Sequence, residues 1–110
     1  MYDVLTDFIS LLEENKTAFE GDPNFHQATY AFVENYHGFS LKTFREVLSQ
    51  NGISFPEYKE ADYMNLDDVG LMALIFGTVR AEHMCEGFLD EYIKDGTMVK
   101  WLRRLKELDK

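Results

Sequence analysis

Cysteine is almost missing from this chain: Cys85 stands alone among 110 residues. An internal disulfide and a zinc-ligand cysteine pair are therefore both excluded. Proline occurs twice, too rarely to break up helices or to make the chain a Pro-rich linker. No apolar run nears the roughly 20 residues that a membrane-spanning helix needs. The start, MYDVLTDF, lacks the cationic head and apolar middle of a secretory leader, so a soluble cytoplasmic protein is expected. There is no glycine loop to cradle phosphate and no serine elbow. No motif calls for a cofactor.

Basic residues are also scarce, eleven Lys and Arg against twenty Asp and Glu, for a net charge of −9. Five of the eleven (Lys100, Arg103, Arg104, Lys106, Lys110) fall in the last stretch, leaving residues 1–99 with six basic and eighteen acidic side chains, or −12. A phosphate backbone would be repelled by most of this surface, which argues against nucleic acid as a partner. The Asp95-Gly96 turn before a basic helix has the outline of a helix-turn-helix. Trp101 and the leucines bury one side of that helix, however, and Glu82, Glu86, Asp90, Glu91 and Asp95 precede it.

What the chain does have is apolar side chains at helical spacing, 45% hydrophobic and 15% aromatic, a composition that folds. DVLTDFISLLEEN repeats Val4, Leu5, Phe8, Ile9, Leu11 and Leu12 behind a capping Asp3. Asp22-Pro23 signals a second helix, with Ala28, Ala31, Phe32 and Tyr36 inward and Gly38 at its close. Ser40 caps a third, with Leu41, Phe44, Val47 and Leu48 inward, ending at Gly52. Residues 53–64 read as a connection with a helical turn after Pro56. Asn65 and Asp68 form a cap for the dominant segment, LDDVGLMALIFGTVRAEHMCEG, which is apolar nearly all round and so belongs at the centre of a bundle. Its stripe of Gly70, Ala73, Gly77 and Ala81 lets a neighbouring helix approach closely. Thr97 caps a last helix that buries Met98, Trp101, Leu102, Leu105 and Leu108. No strand pattern appears. The expectation is one all-α domain, residues 1–110, a compact bundle of about five helices around a central apolar helix at 66–87.

RAEHMCEG, residues 80–87, is where chemistry would sit. On a helical wheel Arg80 falls among Val69, Ala73 and Phe76, and His83 among Met72, Phe76 and Val79. A guanidinium in a core must find acceptors, so Arg80 is expected buried and paired with a helix-end carbonyl, Glu34 or a bound anion. Two readings follow: Arg80 bridges helices, or Arg80 and Glu82, with His83, Tyr30, Tyr36 or Trp101, line a pocket for an anionic ligand. His83 and Cys85 diverge by about 200° on a helix and cannot pair as base and nucleophile. Cys85 is expected to be a small buried thiol. Glu34 with His37 and His83 with Glu86 echo half of a di-iron pattern, but the second pair runs in reverse order and no further glutamates lie on apolar faces, so no metal is expected.

Taken together, ALIFGTVRAEHMCEG and DGTMVKWLRRLKELD resemble the carboxyl half of a family of small bacterial proteins classed as a domain of unknown function, over residues 60–109. The resemblance implies a bacterial, mainly helical domain. Its pattern carries arginine and phenylalanine where this chain has His83 and Met84, which places Arg80 and Glu82 ahead of His83 as site residues.

The function expected is that of a binding or regulatory module for a protein or small anionic ligand. It would use its acidic surface or an aromatic groove from the Phe25–Tyr63 region, with room for a symmetric dimer. The alternative is an enzyme, or a domain that processes an anionic ligand, built round Arg80 and Glu82.

Overall fold

The computed structural model describes residues 1–109; Lys110 lies outside it. Among the described residues every regular element is helical. The first apolar segment makes two short helices, α1 (Asp3–Thr6) and α2 (Ile9–Asn15), broken at Asp7-Phe8. Leu5, Ile9 and Leu12 are buried while Val4 is half exposed. Asp3 lies inside the first turn instead of capping it, and Lys16 in the left-handed region (φ 58°) closes α2.

Helix α3 (Phe25–Glu34) starts later than the Asp22-Pro23 signal. Its cap is Asn24, whose side chain accepts from the Gln27 amide at 2.8 Å while the Gln27 side chain accepts from the Asn24 amide at 2.9 Å. That reciprocal pair satisfies two amides at once, which an aspartate ahead of a proline does not. Phe25, Ala28, Thr29 and Val33 are the buried residues of α3, Tyr36 is buried just beyond its end, and Ala31 is exposed. Ser40 and Thr43 hydrogen-bond to each other in a turn before α4 (Phe44–Gln50). Leu41, expected inside, sits in that turn and is exposed. Two single turns of 3₁₀ helix, Tyr58–Glu60 and Tyr63–Asn65, follow the Pro56 connection.

The dominant segment forms α5 (Asp68–Ala81), capped by Asp67, which accepts from the Gly70 amide at 2.7 Å. Asn65 bonds to Asp62 instead. Every residue from Gly70 to Val79 is buried, and α5 packs against α3 and α4, and against α6 (Phe88–Lys94) and α7 (Thr97–Leu108). The central position inferred from the apolar circumference is what the fold shows. Its reach to residue 87 is not, because the chain leaves the helix after Ala81 and turns until Gly87, at φ 89°. Thr97 is the first residue of α7, and its amide donates to Asp95 at 2.9 Å. Met98, Val99, Trp101, Leu102 and Leu105 make the buried side of α7. Asp109 accepts from the Tyr2 amide at 2.7 Å and from the Met1 ammonium at 3.1 Å, tying α1 to the end of α7.

Candidate ligand groove beside Arg80

Arg80 is exposed, not buried. The wheel that put it among Val69, Ala73 and Phe76 is right about direction, but those residues lie one or more turns back along α5, under its neighbours. At the last turn the bundle ends, and a long side chain there can lay its stem on apolar surface and carry its head into water. The guanidinium makes one hydrogen bond, Nη1 to the Tyr30 hydroxyl at 3.4 Å. Glu34 is not its partner. His83 and Cys85 are exposed as well, because a helical wheel has no meaning in the turns after Ala81. The His83 ring stands 5.9 Å from that of His26 and 5.8 Å from that of Tyr30, centre to centre. Burial, and then the neighbouring His83, hold the His26 imidazole below its ordinary pKa.

Glu82 has its work assigned. One carboxylate oxygen accepts from the Gly87 amide and the other from the Leu89 amide, each at 2.9 Å, fixing the turn that starts α6. Tyr36 and Trp101 belong to other clusters. The Tyr36 hydroxyl meets that of Tyr2 at 2.9 Å, and Tyr2 donates to Asp68 at 2.7 Å. Burial raises both phenols above their ordinary pKa, Tyr2 further through its bonds to Tyr36 and Asp68. Trp101 continues a row of rings through Tyr92 and Phe88 to Phe55, with centres 5.6, 4.8 and 5.6 Å apart. Of the six residues singled out in sequence, the fold gathers Arg80, Glu82, His83 and Tyr30 at one end of α5 and sends Tyr36 and Trp101 elsewhere.

Arg80 does border a concavity. A groove of about 200 Å³ lies between α4, the Phe55–Tyr58 connection and the end of α5. Phe44, Phe55 and Tyr58 form its walls, Gly77 its floor, and Arg45 and Arg80 stand on its rim. At Gly77 α5 lies close against its neighbours: a Cβ there would lie 3.0 Å from Leu48 Cδ1 and 3.2 Å from the Tyr58 hydroxyl. Burial keeps the Tyr58 phenol above its ordinary pKa and therefore neutral at physiological pH. Arg45 rests over the Phe44 ring at 5.6 Å, a cation–π contact. Phe55 and Met84 flank the opening, 43% and 66% exposed. A hollow of equal size adjoins it, sharing Arg45, Phe55 and Tyr58.

The two arginines on this rim differ from the other two arginines, although Lys16, Lys42, Lys94, Lys100 and Lys106 likewise have no carboxylate partner among the described residues. The chain has four arginines. Arg103 pairs with Glu13 at 2.6 Å and Arg104 with Glu107 at 3.7 Å, whereas no carboxylate among the described residues pairs with Arg45 or Arg80. With twenty acids in the chain, two guanidiniums without a carboxylate partner line one apolar groove. A larger concavity of about 720 Å³ opens between α1, α2 and α7, lined by Asp7, Glu13, Arg103, Lys106 and Glu107 among others. It is shallow and mixed in sign, and its guanidinium is already engaged by Glu13. Among the described residues no three His, Cys, Asp or Glu side chains converge as metal ligands, and no helix is long and apolar enough to cross a membrane.

The sequence offered Arg80 but not Arg45, which sits on the exposed side of a seven-residue helix. Gly77 had a signal, its place in the small-residue stripe. Phe55 and Met84 had a weaker one, as large apolar side chains in polar stretches.

No curated protein and no solved structure matches this chain. One family model does, over residues 2–110, so the match takes in the amino-terminal helices as well as the carboxyl half in which the resemblance was read. The chain belongs to DUF6508, a family of unknown function.

Proposed function

We propose that this protein is a binding module whose groove between α4 and the end of α5 holds a compact anion with an apolar body. The observation that carries the reading is the pair of carboxylate-free guanidiniums, Arg45 and Arg80, bracketing an aromatic hollow in an otherwise acidic chain. A buried apolar surface supplies affinity and a few placed charges supply orientation, the usual division of labour in small-ligand sites. At about 200 Å³ the groove is smaller than the roughly 300–1,000 Å³ of drug-sized pockets, so the ligand is small.

Binding is favoured over catalysis by what the lining lacks. Its residues include no carboxylate, histidine, serine or cysteine, and the buried Tyr58 phenol is a poor base at neutral pH. Glu82, the other half of the enzyme reading, has both oxygens committed to backbone amides. A reducing cytoplasm suits the module, since Cys85 is exposed and unpaired.

Thermal unfolding in the presence of matched anionic, neutral and cationic aromatic compounds tests the proposal. A ligand at a hundred times its dissociation constant adds about 2.7 kcal/mol of stability. Anions should raise the midpoint, and the double variant Arg45→Gln/Arg80→Gln should lose the effect. A midpoint that no anion moves would contradict the reading.

A further inference from the structure

We infer that the contact between His26, at the start of α3, and His83, in the turn after α5, is an acid-sensitive clasp. Neutral imidazoles hold that turn and the loop before α3 together, and protonation of the pair loosens both. The His26 imidazole is half-buried, and its ring centre lies 5.3 Å from that of Phe19, 5.1 Å from that of Tyr30 and 5.9 Å from that of His83. Tyr30 also faces His83, at 5.8 Å, and packs edge-on against the buried Phe76 at 5.3 Å. Three segments distant in sequence, the loop 16–24, α3 and the turn 82–87, therefore meet on one imidazole. The loop is pinned from two sides: the His26 amide donates to the Ala18 carbonyl at 3.2 Å, and the Ala18 amide donates to Asp90 at 2.9 Å. The clasp is independent of what the groove binds.

The surroundings of the pair make it responsive to a proton. A charge on His26 would be taken out of water, would face a second imidazolium on His83, and would stand in the first turn of α3, at the positive end of the helix dipole. Arg80 sets a further cation beside the rings, its guanidinium 3.4 Å from the Tyr30 hydroxyl. The acid that opposes these effects is Glu82, and both of its oxygens are occupied by the Gly87 and Leu89 amides. Asp90 is engaged by Ala18 and Thr17. The remaining charged side chains of the loop and the turn, Lys16, Glu20, Asp22 and Glu86, are exposed, where water and salt screen them. Burial, and then His83, accordingly hold the His26 imidazole below 6.5. With the folded pKa lowered, the unfolded chain takes up the proton first. The stability that the contact contributes is complete above pH 6.5 and is lost as pH falls through the folded pKa. Carboxylates titrate near pH 4 and below, so the window from pH 6.5 to about 5 reports on histidine.

NMR of the histidine rings and the backbone amides of the intact chain, followed from pH 8 to 5, tests the clasp. His26 should titrate below pH 6.5, and the amides of Ala18, Phe19, Tyr30, His83 and Met84 should move with the same midpoint. His83→Asn, at an exposed position, should raise the His26 midpoint by about 0.5, as expected for two charges about 6 Å apart in water. His26→Phe keeps a flat ring against Phe19 and Tyr30, and should abolish the shared transition and reduce the fall in Tm between pH 7 and 5. A His26 midpoint at or above 6.5, turn amides that do not follow it, or the same transition in His26→Phe would overturn the proposal. Should His26→Phe fail to fold, the titrations of the parent and His83→Asn decide alone.

Discussion

Replacing Gly77 with alanine sets two effects of similar size against each other. In a helix interior alanine is favoured over glycine by about 1 kcal/mol, so an open site would gain stability. Gly77 is not open: the new methyl would stand 3.0 Å from Leu48 Cδ1, 3.2 Å from the Tyr58 hydroxyl and 3.3 Å from Tyr58 Cζ. Carbon atoms rest comfortably at about 3.5–4.0 Å. Both neighbours are held by the core, at 3% and 5% exposure, and overpacking such a site costs about 1–3 kcal/mol. The expected net result is a loss of about 1 kcal/mol. Gly70→Ala is the control, because its methyl would meet the tips of Asp67, Leu66 and Asn51 at 3.2, 3.3 and 3.5 Å. The Leu66 and Asn51 ends can move, while the Asp67 oxygen is the cap held on the Gly70 amide at 2.7 Å, so this variant should lose less than Gly77→Ala. Urea unfolding followed by far-UV circular dichroism measures both, with unchanged slopes licensing the comparison. A difference of 1 kcal/mol corresponds to roughly 4–8 °C in Tm for domains near this size. Because Tyr58 must shift to admit the methyl, Gly77→Ala should also weaken binding of an anionic aromatic compound such as 2-naphthoate. A Gly77→Ala protein as stable as Gly70→Ala would refute the close approach of α4 and the Tyr58 wall to α5.

Three further perturbations probe the polar supports of the fold. Glu82→Ala removes both acceptors that fix the turn into α6 and should cost about 1–3 kcal/mol by urea titration, with Glu82→Gln losing about half as much; equal stability of all three proteins would show that the carboxylate is free for other work. Tyr2→Phe leaves the buried Tyr36 hydroxyl without its partner and should cost about 1–3 kcal/mol, while Tyr36→Phe, which leaves the Tyr2–Asp68 bond in place, should cost less; the reverse order in parallel melts would refute that network. Hydrogen bonds from the Tyr2 amide and then the amino-terminal ammonium hold the Asp109 carboxyl below its usual range. A lowered folded pKa contributes stability above the unfolded value and loses it as pH falls through the folded one. The deficit of Asp109→Asn should therefore be greatest near neutrality and shrink below about pH 4, and a deficit that grows on acidification would contradict the assignment.

How much of this was legible in the sequence divides at Ala81. The centre of the fold was readable because the residues of α5 are apolar all round, a pattern that only burial on every side accommodates. Helix α7 was readable from the regular spacing of Met98, Trp101, Leu102 and Leu105. The caps were less so, since Asn24 and Asp67 lie within three residues of Asp22 and Asn65, and the choice among neighbouring polar side chains depends on backbone geometry. The helical period misplaces His83 and Cys85 because the helix ends before them, at Ala81, and Arg80, still within α5, because the last turn reaches the edge of the bundle. Nothing local marks that end strongly, and Gly87 with its left-handed backbone finishes the turn instead of the helix. The groove has no sequence signature because Arg45, Phe55, Gly77, Arg80 and Met84 meet only when α4 docks on α5.

The most direct measurement is the backbone amide NMR map of the chain titrated with 2-naphthoate. The account predicts perturbations centred on Phe44, Arg45, Tyr58, Gly77, Arg80 and Met84, lost in Arg45→Gln/Arg80→Gln. Perturbations centred instead on Thr6, Ser10, Arg103 and Lys106, in the open concavity between α1, α2 and α7, would contradict it.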